Sequence, residues 1–240
     1  MALVKKNIER FSSFYKERIS KRFLILRVAT ENLPKCLERE DNDVFLFDIA
    51  DNMLAEAHRK GVPEEKTMVG DIFTKNIGKK FDCVILKSSM HEIPLEKSSE
   101  LHSIVFNLLN PEGWFIDWDV HMPTEKDSNW LIRWVNIKDN IAGLVDLVKN
   151  RNIYTEDFIV EQLKQIGFKK VTIAYRFFYT VSVAKMSKVY WADNFQKTQE
   201  FFEKTQELLK TYGSDNISVT EKPPIDFEIK IPAVFIVGQK

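Results

Sequence analysis

Hydrophobic positions along the chain change their period several times, and each change marks an element. Residues 5 to 20 (KKNIERFSSFYKERIS) set Ile8, Phe11, Phe14, Tyr15 and Ile19 at helical spacing, which predicts an amphipathic leading helix within residues 1–22. FLILRV (23–28) is a short unbroken apolar run of the kind shown by parallel strands buried on both faces. Asn32 can cap a following helix whose Pro34 sits in the tolerated first turn. VFLFD (44–48) repeats that run and ends in a carboxylate; in the DNMLAEAHRKG that follows, Met53, Leu54 and Ala57 share a face and Gly61 stops the helix. KTMVGDI (66–72) and FDCVILKSS (81–89) give two more strands. A helix then places Leu101, Ile104, Val105 and Leu108 on one stripe, Pro111 breaks the chain, and GWFIDWDVHM (113–122) supplies a fifth strand. Strands and helices that alternate in this way predict an α/β domain with a parallel, doubly wound sheet.

The second half is less regular. Trp130, Trp134, Ile137, Ile141, Leu144, Val145 and Val148 keep helical spacing, so residues 124–150 read as a helical insertion lying beside the carboxyl ends of the strands, where a lid would go. Thr155 opens another helix with Glu156 and Asp157 at its positive end and Gly167 at its stop. An alternating stretch through Ala184 follows, carrying Val171, Ile173, Tyr175, Phe177, Tyr179, Val181 and Val183. TQEFFEK and TQELLK echo each other within a predicted cover helix at 188–212, too short an echo for a coiled coil. Pro223 and Pro224 make a stiff link before a last strand around 231–238. The whole chain, 1–240, is expected to be a single domain: core 23–122, insertion 124–150 and a sheet-completing part 151–240.

Composition narrows the function. Lys+Arg and Asp+Glu both number 35 with no block of like charge, so neither nucleic acid nor an anionic membrane is an expected partner. No apolar run approaches the ~18 residues a membrane span needs, and the first residues carry charges where a signal peptide needs its apolar stretch. Cys36 and Cys83 are the only cysteines, too few for a disulfide framework, which suits a reducing cytosol. There are only eight glycines and no G-x-G, which excludes a Walker loop and an ordinary Rossmann fingerprint. A second copy or a partner protein remains compatible with the surface.

The ordered series VFLFDIADNMLAEAHRKG, KTMVGDIF, FDCVILKSSMHEIP and LLNPEGWFIDWD, over residues 23–122, resembles the class I S-adenosylmethionine-dependent methyltransferases. The resemblance implies a Rossmann-like seven-stranded sheet, mostly parallel with an antiparallel last strand. It also implies methyl transfer from S-adenosylmethionine, here to a small-molecule acceptor. The first loop departs from the family pattern: LRVATENL has Arg27 near the place of an acid and Ala29 where glycines would let the backbone approach a ligand. A catalytically silent, methyltransferase-like binding subunit is the alternative this departure raises.

Individual residues carry the expected chemistry. A carboxylate ending the second strand can accept both ribose hydroxyls, which makes Asp48 the leading cofactor residue, with Ile49 beside it; a plain helix N-terminal charge is the other reading. Met53 is placed to touch an adenine face or to be core. Asp71 can accept from an adenine amino group while the backbone at Ile72 reaches ring nitrogens, or it can simply form a turn. Arg27 is expected to salt-link Asp48 or Asp71, or to reach the cofactor's carboxylate. Lys87 and Ser88 follow the fourth strand, in the segment that in the resembled family flanks the cofactor's methionine end and the acceptor. His91 and His121 are candidate general bases, with Glu92, Asp119, Trp130 and Trp134 lining an acceptor site roofed by the Trp130–Val148 helix. No metal site is predicted.

Overall fold

The computed structural model describes residues 22–27 and 42–240. The leading helix, the Asn32-capped helix, Ala29 and Cys36 lie outside the described residues.

Strand β1 (Arg22–Leu26) pairs in parallel with β2 (Asp43–Asp48) on one side and β4 (Phe81–Lys87) on the other. Adding β3 (Thr67–Val69), β5 (Leu109–Asp119), β6 (Lys169–Ser182), β7 (Ser218–Lys222) and β8 (Asp226–Gln239) completes an eight-stranded sheet of order β3-β2-β1-β4-β5-β8-β6, with β7 paired to β8. The pairs among β1 to β5 are parallel, and β8 runs antiparallel between β5 and β6. The strand beyond the expected seven is β7. Its SVTEK sequence is too polar to read as a strand, and its register comes entirely from the hairpin it makes with the start of β8. The Pro223–Pro224 link is therefore a hairpin turn.

The uninterrupted apolar runs have the burial they predict. Phe23 and Ile25 enter a core on one face with Leu54 and Ala57 of α1 (Asp51–Arg59). Leu24 and Leu26 enter a core on the other face with Leu101 and Val105 of α2 (Leu95–Leu108). The insertion is two helices, α3 (Glu125–Ala142) and α4 (Val145–Asn150), because Gly143 takes the left-handed conformation (φ 77°) that ends α3. After α5 (Glu156–Ile166), the expected cover helix is likewise divided into α6 (Val183–Trp191) and α7 (Phe195–Thr211), at Ala192 and Asp193, both at positive φ. Nothing in their side chains announces that turn.

Helices α3, α6 and α7 close a third core with the β7–β8 hairpin, built on Trp130, Trp134, Phe201, Phe227, Ile229 and Ile231. This core forms a cap. It is fastened by Asp127, a buried carboxylate that accepts from the backbone N–H groups of Asp215 (2.7 Å) and Asn216 (2.9 Å). Among the described residues no helix is long and apolar enough to cross a membrane.

Candidate active site

The strand order reverses between β1 and β4, and over their carboxyl ends opens a cleft of about 400 Å³, within the ~300–1,000 Å³ usual for small-molecule sites. Asp48 ends β2 at its edge. The Ala50 N–H donates to Asp48 Oδ1 (2.9 Å), an Asx-type turn that stops the strand and starts α1. The Gly70 N–H donates to the Asp48 carbonyl (3.0 Å), which brings the following loop to the same end of the sheet. In that loop Asp71 Oδ1 accepts from the Phe73 N–H (3.0 Å). Asp48, Ile49, Met53, Asp71 and Ile72 all line the cleft, and Phe73 and Ile93 add apolar surface. Ile49 is 71% exposed although it is apolar, so a flat hydrophobic ligand would cover it. Two carboxylates bordering an apolar slot suit a nucleoside, which presents a hydroxyl pair and a planar base.

Arg27 also lines the cleft. Its backbone is left-handed (φ 64°), a conformation that costs a side-chain-bearing residue about 1–2 kcal/mol. The sequence predicts a salt link to Asp48 or Asp71 or contact with the cofactor's carboxylate; among the described residues the carboxylate that Arg27 pairs with is Glu92. The pair is a fork, with Nη1 2.7 Å from Oε2 and Nη2 2.8 Å from Oε1, and Nη1 also donates to the Ser88 carbonyl (2.6 Å). Ser88 is itself left-handed (φ 50°), which turns that carbonyl toward β1. Arg27 and Glu92 both line the cleft. Ser88 acts through its main chain. The Lys87 side chain is buried, 4.9 Å above the Trp118 ring, and does not border the cleft.

The two histidines part company. His91 sits in a short 3₁₀ turn (Met90–Glu92), where its ring is braced by buried Asp119, with Nδ1 2.7 Å from Oδ1. A carboxylate only accepts, so Nδ1 carries a proton and Nε2 is the ring position left for another partner. Burial would raise the Asp119 carboxyl, yet His91, and His121 behind it, hold it well below the usual carboxylate range. His121 is 1% exposed, and neither it nor Asp119 nor His91 lines the cleft itself, a correction to the expected site; His91, with its side chain 17% exposed, lies beside the cleft residue Glu92, whereas His121 is enclosed. Its Nε2 is 2.8 Å from Asp117 Oδ2. Burial opposes its charge, but Asp117 outweighs burial and its pKa lies above the ordinary value.

Trp130 and Trp134 are not at the described cleft either. They stack on each other (centroids 6.3 Å apart, planes 14° apart) inside the cap core, because residues four apart on α3 share its buried face. What the sequence did not reveal is the segment between α4 and α5, where Arg151 and Asn152 approach the His91 turn; its polar residues follow no period. Among the described residues no group of three or more His, Cys, Asp or Glu could hold a metal ion.

Doubly wound order, the β5–β8–β6 antiparallel end and a cleft over β1 and β4 define the fold of the class I S-adenosylmethionine-dependent methyltransferases. Among solved structures, the YcgJ protein of Bacillus subtilis is similar over 98% of this chain and 98% of its own at 13% identity (TM-score 0.76). A Bacillus halodurans protein is similar over 98% and 99% at 13% identity (TM-score 0.72). A SAM-dependent methyltransferase of Archaeoglobus fulgidus is similar over 100% and 94% at 15% identity (TM-score 0.56). At such identities the likeness establishes the fold. No protein-family model and no curated protein sequence matches the chain.

Proposed function

We propose that the protein transfers the methyl group of S-adenosylmethionine to a small-molecule acceptor. The observation that carries this reading is the slot where Asp48 and Asp71 border Ile49, Met53 and Ile72, on a fold shared with a SAM-dependent methyltransferase. When bound, S-adenosylmethionine supplies an electrophilic methyl carbon on a sulfonium. The chain's own task is then alignment, exclusion of water and custody of one proton. Asp48 would accept from the ribose hydroxyls, Asp71 from the adenine amino group, and Ile49 and Met53 would cover the base. Glu92 and Ser88 engage the Nη groups of Arg27, which leaves its Nε edge for the cofactor's carboxylate. His91 Nε2 would take the acceptor's proton while Asp119 holds Nδ1. The balanced charge favours a small acceptor over a nucleic acid.

Calorimetric titration with S-adenosylmethionine and S-adenosylhomocysteine tests the reading before any acceptor is known. Saturable one-to-one binding is expected. A folded protein that takes up neither would refute it. Once an acceptor is found, His91→Gln should slow turnover ~100-fold or more with cofactor affinity nearly unchanged.

A further inference from the structure

We infer that Arg151, in the segment joining α4 to α5, is a positioning residue for His91: with Asn152 it clasps the turn that carries His91 and Glu92, and it sets the charge beside His91 Nε2. The inference rests on the role proposed for His91.

Backbone contacts supply the clasp. The Asn152 N–H donates to the His91 carbonyl (3.0 Å), Asn152 Nδ2 donates to the Ile93 carbonyl (3.3 Å), and Tyr154 Oη donates to the same oxygen (2.7 Å). The three-residue 3₁₀ turn has too few hydrogen bonds of its own to hold a ring in one orientation. Its carbonyls are held by the neighbouring segment, and His91 gains a fixed backbone beneath the Asp119 brace.

Side chains supply the charge. Arg151, whose side chain is 7% exposed, donates through Nε to Asp139 Oδ2 (2.8 Å), and its Nη1 is 3.8 Å from Glu92 Oε1. Asp139 also pairs with Lys138, so alternating charges run from α3 through Arg151 and Glu92 to Arg27 at the end of β1. Glu92 Oε1 is 3.7 Å from His91 Nε2. Two guanidiniums facing Glu92 blunt its pull on a proton at Nε2. Without Arg151 the carboxylate would favour the imidazolium, the form that cannot accept a proton. The other charged groups around His91 are Asp119 from β5, His121 and Asp117 beyond it, and Arg27 from β1 acting through Glu92; a substitution at Arg151 leaves all of them in place.

The test is the His91 ring titration, followed by nuclear magnetic resonance in the parent protein, Arg151→Gln and Arg151→Lys. The Gln variant should raise the His91 midpoint by ~0.5 unit or more, and Lys, which restores the charge, should return it most of the way. Given an acceptor, the acid limb of kcat should move to higher pH in step, with the Kd for S-adenosylhomocysteine within about twofold. Arg151→Gln leaves buried Asp139 with Lys138 as its remaining cation, and in the double variant Arg151→Gln, Asp139→Asn the lost carboxylate offsets part of the lost cation, so a smaller upward shift is expected of it; a thermal melt of each variant confirms folding before its midpoint is read. An unmoved midpoint in the Gln variants, or a Lys variant that titrates like Gln, overturns the inference. The titration needs neither cofactor nor acceptor, so it decides the positioning of His91, whereas cofactor calorimetry decides the methyl-donor reading.

Discussion

Replacing Asp48 by Asn separates the ligand role of this carboxylate from its structural one. In the turn into α1, Oδ1 accepts from the Ala50 N–H at 2.9 Å, and the Asn amide oxygen can keep that bond. What disappears is the negative charge and one acceptor. Asp48 is 5% exposed, so its bonds to a ribose would be only weakly screened by water. A hydrogen bond to a charged group is worth ~1.5–3 kcal/mol, and losing one such bond corresponds to about a 10- to 150-fold weaker Kd. Calorimetry with S-adenosylhomocysteine at fixed pH and salt measures it, with a thermal melt of the same samples as the folding control. Adenosine shares the ribose but lacks the amino-acid tail, so its affinity should fall by a similar factor. An affinity within about twofold of the parent, in a variant that melts like the parent, would refute the assignment of Asp48 to the ribose.

Three further outcomes follow from the same geometry. His121 has a folded pKa above its ordinary 6.5, so the stability it gives through Asp117 is complete below pH 6.5 and fades as pH rises through the folded value. The melting temperature of the parent should exceed that of His121→Gln most in acid and least in alkali; a gap that widens with pH would contradict this. Asp119→Asn removes the charge that fixes the His91 tautomer and should lower kcat ~100-fold or more with cofactor affinity kept, measured in a methyl-transfer assay once an acceptor is known. Trp134→Ala should cost ~3–5 kcal/mol in denaturant unfolding, because the ring is 1% exposed against Trp130 and Phe201, and should leave cofactor affinity unaltered.

Legibility in the sequence followed the reach of the forces involved. VFLFD and FDCVILK were readable as strands because burial on both faces writes an unbroken apolar run, and the carboxylate of Asp48 is conspicuous at the end of one. With the strands in order, topology alone brings Asp48, Asp71 and Arg27 to one cleft. The pairing of Arg27 with Glu92 was not readable, since it depends on two left-handed residues, Arg27 and Ser88, whose side chains give no sign of that backbone. Similarly, Asp117, Asp119 and His121 show a shared periodicity, but only the fold gives Asp119 to His91 and Asp117 to His121. The division of the cover helix at Ala192 is invisible because no glycine or proline marks it.

Strands β6 and β8, fourteen residues each, extend from the main sheet into the cap, with register irregularities at Lys169–Thr172 and Ile173–Tyr175 and an even ladder from Tyr175 to Ser182: Val237 and Phe235 belong to the lower core, Ile231, Ile229 and Phe227 to the upper one. Mechanically they are beams built into both halves, stiff in bending because every rung of their shared ladder would have to shear for the cap to tilt. Rigid-body swinging of the cap is thereby resisted, and traffic to and from the cleft falls to the loops at the strand ends. Hydrogen exchange would register this stiffness directly, with the amides of Ile229, Phe235 and Val237 opening together as one unit although they serve different cores.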